Sequence, residues 1–73
     1  MIEVRLFAGL RQGRQKVYQM EASSAANVQD IMDMLDIQRS EVNILLINGF
    51  HQKPETEVKD EDIVSLFPAV GGG

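Results

Sequence analysis

The sequence predicts an α+β domain, in which one short helix packs on a mixed sheet of four to five strands. Three observations carry that prediction. Ile2, Val4, Leu6 and Ala8 alternate with Glu3, Arg5 and Phe7, the period of two that gives a strand one buried face. Val28, Ile31, Met32 and Leu35 recur at the three-and-four spacing of a helix stripe. Asn48-Gly49 directly follows the apolar run Ile44-Leu45-Leu46-Ile47, and such a pair between apolar runs marks a tight hairpin.

In chain order, the first strand gives way at Gly9 to Arg14, where two glycines and several polar side chains separate apolar runs. Gln15 to Glu21 is β-prone around Val17 and Tyr18 and forms the second strand of a hairpin. Small residues connect from Ala22 to Ala26. Asn27 is then placed to accept from the first helical turn, and Asp30 sits near the positive helix end. The helix runs from about Val28 to Asp36, with Gln29, Asp30, Asp33 and Asp36 outward and Met34 beside the apolar stripe. Met20, Met32 and Met34 read as core or near-core filler. The run Ile44 to Ile47 is a strand covered on both faces or partly so, and Phe50 to Lys53 is its short return, ended by Pro54. A polar turn from Glu55 to Asp62 leads to the last strand, Ile63 to Phe67, closed by Pro68. Setting the first and last strands side by side in mid-sheet turns Ile2, Val4, Leu6, Val64 and Leu66 toward the helix, and Phe7 and Phe67 away from it. Residues 1–70 form one domain, and Gly71, Gly72 and Gly73 a flexible tail.

Composition excludes several classes of function. A chain of 73 residues has little room for an enclosed catalytic cleft. It has no cysteine, so disulfides, thiolate metal sites and a cysteine nucleophile are absent, and the core must be held by packing alone. Eleven acidic against seven basic side chains repel a phosphate backbone, which argues against nucleic acid. No apolar stretch approaches the ~20 residues of a membrane span, and the first residues lack the pattern of a signal peptide. The expected location is cytoplasmic, with no membrane partner. His51 has no second histidine or cysteine to complete a metal site, and reads as a solvated strand residue. Glu55, Glu57, Asp60, Glu61 and Asp62 lack the spacing and central glycine of a calcium loop. No metal site is expected.

Three stretches carry a resemblance that covers essentially the whole chain. Leu6-Phe7-Ala8-Gly9-Leu10-Arg11, Asn27-Val28-Gln29-Asp30-Ile31 and the ending Asp62 to Gly73 are similar to the MoaD/ThiS family of ubiquitin-like sulfur carriers. The chain more closely resembles the MoaD branch, the small subunit of molybdopterin synthase. The ending, a strand closing on Phe67-Pro68-Ala69-Val70 before a diglycine, is the most specific of the three. Two departures stand out: Gly71 replaces the alanine that usually precedes the diglycine, and the first hairpin loop is short. The resemblance implies the β-grasp fold and a carrier, not an enzyme, with no catalytic residue and no bound cofactor of its own.

Glycines lack β-carbons, so Gly71, Gly72 and Gly73 can thread a narrow channel in extended form. Four residues from Val70 reach at most ~14 Å. The chain holds no group placed to activate a carboxylate. The resemblance implies that an adenylyltransferase of the ubiquitin-activating type uses ATP and Mg2+ to convert the Gly73 carboxylate into an acyl-adenylate. A sulfur donor then displaces AMP and leaves a thiocarboxylate. In the MoaD branch that sulfur passes, in complex with a large subunit, to a pterin precursor of the molybdenum cofactor.

Phe7, Phe67, Pro68 and Val70 are the candidate partner-docking residues. Two readings of the phenylalanines stand side by side: an apolar patch that docks the activating enzyme or the large subunit, or scattered surface hydrophobes on a sheet face partly covered by loops. The glycines likewise read as a carrier tail or as an inert end such as a cloning scar, and their Phe67 to Val70 context favours the carrier. The rival functions are a ThiS-type carrier for thiamin thiazole synthesis, a ubiquitin-like modifier conjugated through Gly73, and an interaction domain with an inert tail. Phe7-Ala8-x-Leu10-Arg11 and Phe67-Pro68 favour the MoaD-type reading over the ThiS-type one.

Overall fold

A computed structural model describes residues 1–69 of the chain. The expectations placed on Val70, Gly71, Gly72 and Gly73 lie outside the described residues. Five strands form one mixed sheet: β1 (Ile2–Leu6), β2 (Val17–Met20), β3 (Val42–Ile47), β4 (Phe50–His51) and β5 (Ile63–Pro68), in the order β2-β1-β5-β3-β4. The helix α1 spans Val28–Met34. β1 and β5 lie parallel in the middle, and the other pairs are antiparallel. This arrangement of one helix and five strands is the β-grasp fold.

The core follows from the alternation. Ile2, Val4 and Leu6 of β1 and Val64 and Leu66 of β5 are wholly buried, and they meet Val28, Ile31 and Met32 from α1. Leu45 and Ile47 extend that layer onto β3, and Tyr18 and Met20 pack against it from β2. Each fully buried aliphatic side chain stabilises the fold by roughly 1.5–3 kcal/mol relative to exposure. Asn27 caps α1 as its position suggests: its side chain accepts from the Asp30 backbone N–H at 2.9 Å.

Asn48 and Gly49 both take positive φ, 53° and 87°, as the two-residue hairpin turn with matching strand twist requires. Asn48 does more than turn the chain. Its side chain accepts from Ile63 N–H and donates to Asp62, both at 2.9 Å, which ties the hairpin to the start of β5.

Several boundaries differ from the sequence reading. β1 stops at Leu6, because Ala8 adopts φ 51° and opens a 3-10 turn over Ala8–Arg11 that carries Leu10 into the core. β2 is shorter than Gln15 to Glu21, and β4 stops at His51, with Gln52 and Lys53 outside it. The helix ends at Met34, and Asp36 has φ 56°. Met34 is 53% exposed and is not core filler, since it falls on the solvent side of a helix barely two turns long. Val58, inside the polar turn, is buried: its N–H bonds to the Ala26 carbonyl and draws that segment against the entry to α1.

Candidate functional site

The sheet face turned away from α1 carries the site. Because Leu6 pairs with Leu66 across the parallel β1–β5 ladder, Phe7 and Phe67 emerge next to each other on the opposite face. Their rings stack with centroids 4.3 Å apart and planes 9° from parallel. Phe67 also pairs with Ile44 on β3, and between Val42 and Ile44 that ladder shifts register. The shift leaves Pro68 opposite Val42, a position that tolerates a residue with no backbone N–H.

Phe7, Ala8, Gly9, Ile44, Phe67, Pro68 and Ala69 line a groove of about 460 Å³. All the side chains that line it are apolar. Phe7, Ile44, Phe67 and Pro68 are half-buried and Ala8 and Ala69 exposed, so the groove is open to solvent. The 3-10 turn after β1 forms one wall. Arg14 holds that turn to the end of α1: its guanidinium donates to the carbonyls of Leu10, Leu35 and Asp36 at 3.1, 3.0 and 2.8 Å. These include carbonyls that the last helical turn leaves without intrahelical partners. Beside the groove, Arg11 donates from Nε to the Leu6 carbonyl at 2.8 Å, and its guanidinium carbon lies 5.4 Å from the Phe7 centroid.

Of the predicted docking residues, the structure brings Phe7, Phe67 and Pro68 together; Val70, Gly71, Gly72 and Gly73 lie outside the described residues. Sequence reasoning gave Ile44 no place in the site, because its membership depends on the β3–β5 register, and it left Arg11 unassigned. His51 is exposed, and among the described residues no group of three or more histidines, aspartates or glutamates is placed to hold a metal ion. Four of the five acidic residues of the cluster are engaged in structural contacts. Asp60 and Glu61 bind the Met1 amine, Asp62 binds Asn48 and the Lys59 N–H, and Glu55 binds Arg39. Hydrogen bonding to the Met1 amine holds the Asp60 carboxyl below its usual range. Arg39 does the same for Glu55, and Arg5, then Gln19, for Glu3. Among the described residues, no helix is long and apolar enough to cross a membrane.

A β-grasp sheet whose last strand ends in an apolar groove is ubiquitin-like in architecture. The chain belongs to the ThiS family, whose model matches residues 4–73. No curated protein sequence matches it significantly. Among solved structures it is similar to SAMP1 of Haloferax volcanii, with 25% identity over 99% of this chain and 98% of that one, and a TM-score of 0.75. It is also similar to the protein assigned as molybdopterin converting factor subunit 1 of Pyrococcus furiosus, at 26% identity over 94% and 97% of the two chains, TM-score 0.73. The fold is shared with a third structure, a complex of subunits 1 and 2 of the molybdopterin-converting factor of Helicobacter pylori. There the identity is 23%, the coverage 99% and 97%, and the TM-score 0.66.

Proposed function

We propose that this chain is a sulfur carrier that works through Gly73 and serves molybdopterin synthesis. The observation that carries the reading is the groove at the end of β5: Ala69, the last described residue, lines it, and Val70 and the three glycines come next in the sequence. A partner seated on Phe7, Phe67 and Pro68 would meet the chain end within the ~14 Å that four extended residues span.

The chemistry belongs to the partners. The Gly73 carboxylate attacks the α-phosphorus of ATP in an adenylyltransferase of the ubiquitin-activating type, with Mg2+ on the phosphates, and pyrophosphate leaves. Sulfur at the sulfide level, supplied by a donor, then attacks the acyl carbon; AMP departs and a thiocarboxylate remains. The resulting terminal sulfur is a nucleophile that a large subunit can direct to the pterin precursor. The likeness to a molybdopterin converting factor subunit 1 supports this acceptor. The likeness to SAMP1 supports a second reading, in which Gly73 is joined to substrate lysines as in a modifier.

The test is pyrophosphate exchange into ATP with an adenylyltransferase of the ubiquitin-activating type. The full protein should drive exchange, and a variant lacking Gly72 and Gly73 should not. That variant should still fold, since the buried core runs from Ile2 to Leu66. Exchange that persists without the two glycines contradicts the proposal.

A further inference from the structure

Arg11 is held in place by contacts that do not use its outer nitrogens. Nε is bonded to the Leu6 carbonyl, and the guanidinium lies against Phe7, whose ring is stacked on Phe67. Nη1 and Nη2 have no acceptor among the described residues. The other arginines are committed: Arg5 to Glu3, Arg39 to Glu55, and Arg14 to three carbonyls. Arg11 is therefore a pre-ordered cation at the rim of an apolar groove, on a chain whose formal charge is -4.

We propose that Arg11 selects the partner, by taking a carboxylate of the adenylyltransferase side-on through Nη1 and Nη2 while an apolar side chain of that enzyme fills the groove. The inference rests on the carrier reading. A guanidinium offers two parallel donors that match a carboxylate, and its rotamer cost is already met by the Leu6 and Phe7 contacts. Closing an apolar surface around such a pair removes water and strengthens it. The chain's formal charge of -4 repels an acidic partner as a whole, so a local cation such as Arg11 fixes the orientation in which an acidic patch can approach. An apolar groove alone would set no such orientation.

The test measures the affinity of the full-length chain for the ubiquitin-activating-type adenylyltransferase of the same genome across a salt series. Arg11→Gln keeps a donor for the Leu6 carbonyl but removes the charge. It should weaken binding by about tenfold and flatten the salt dependence, and Arg11→Glu should weaken it further. Phe7→Ala should weaken binding and leave the salt slope unchanged. If Arg11→Gln binds as the native chain does, the proposal is wrong. It is equally wrong if the variant binds weakly with an unaltered salt slope, because Arg11 then only supports Phe7. In both of those outcomes the carrier reading survives. If the native chain neither binds nor is adenylated, the carrier reading falls and takes this proposal with it.

Discussion

The rings of Phe7 and Phe67 lie face to face, 4.3 Å between centroids, although 60 positions separate them in the sequence. The parallel pairing of β1 with β5 puts them there: Leu6 stands opposite Leu66, and the Phe7 N–H donates to the Leu66 carbonyl at 3.2 Å. The strand pair that buries the centre of the core thus also builds the groove.

That stack should be measurable as coupling. In urea unfolding of Phe7→Ala, Phe67→Ala and the double variant, the cycle should return about 1 kcal/mol of interaction between the rings. Additive losses, within about 0.3–0.5 kcal/mol, would show that the rings are neighbours without being partners.

Arg14→Lys should destabilise the fold by about 1–3 kcal/mol, because a single ammonium cannot serve carbonyls of both the Ala8–Arg11 turn and the end of α1. The thermal midpoint should fall by about 4–8 °C for each kcal/mol lost. An unchanged midpoint would mean that water replaces the guanidinium at no cost.

Gly49→Ala tests the hairpin. Nothing lies within 4 Å of a β-carbon added there, so its cost comes from φ 87° alone and should be about 1–2 kcal/mol in chemical denaturation. A loss well beyond that range would point to a rearranged hairpin.

Stability should respond to acid with a definite sign. Arg5 and Arg39 hold the folded-state pKa values of Glu3 and Glu55 below the usual carboxylate range. Carboxyls depressed on folding stabilise the native state above their unfolded pKa, and that stabilisation disappears as pH falls through the folded value. The thermal midpoint should therefore drop from about pH 4.5 downward. Glu3→Gln and Glu55→Gln should each make that drop shallower, and salt should blunt the native curve, because both carboxylates are exposed to screening. A curve that the two substitutions leave unaltered would assign the acid response to other groups.

Much of this molecule could be read from local chemistry. The alternation from Ile2 to Leu6 names the buried face of β1, Asn27 names the start of α1, and Asn48-Gly49 names the turn. Features fixed by contacts between distant segments could not be read so. Val58 stands alone among polar neighbours and Leu10 lies beyond Gly9 in the connection between two strands, and only the folded chain shows that they enter the core. Met34 fits a near-core position in a helix of nine residues, but α1 ends at Met34 and turns it to solvent. At the site, Phe7 and Phe67 were legible because strand alternation sets their face, and Pro68 through the resemblance of the chain's ending. Ile44 depends on the register shift in β3, and the disposition of Arg11 on the 3-10 turn that begins where Ala8 leaves the strand.

The most direct test of the central claim is the chemical state of Gly73 in protein taken from its own cells. Mass spectrometry should find a C-terminal fragment containing Gly73 heavier by about 16 Da, one oxygen replaced by sulfur, and localised away from the methionines, whose sulfoxides add a similar mass. A Gly73 that carries only its ordinary carboxylate while the adenylyltransferase and sulfur donor are present, or that is found solely in isopeptide linkage to lysine, would contradict the sulfur-carrier account.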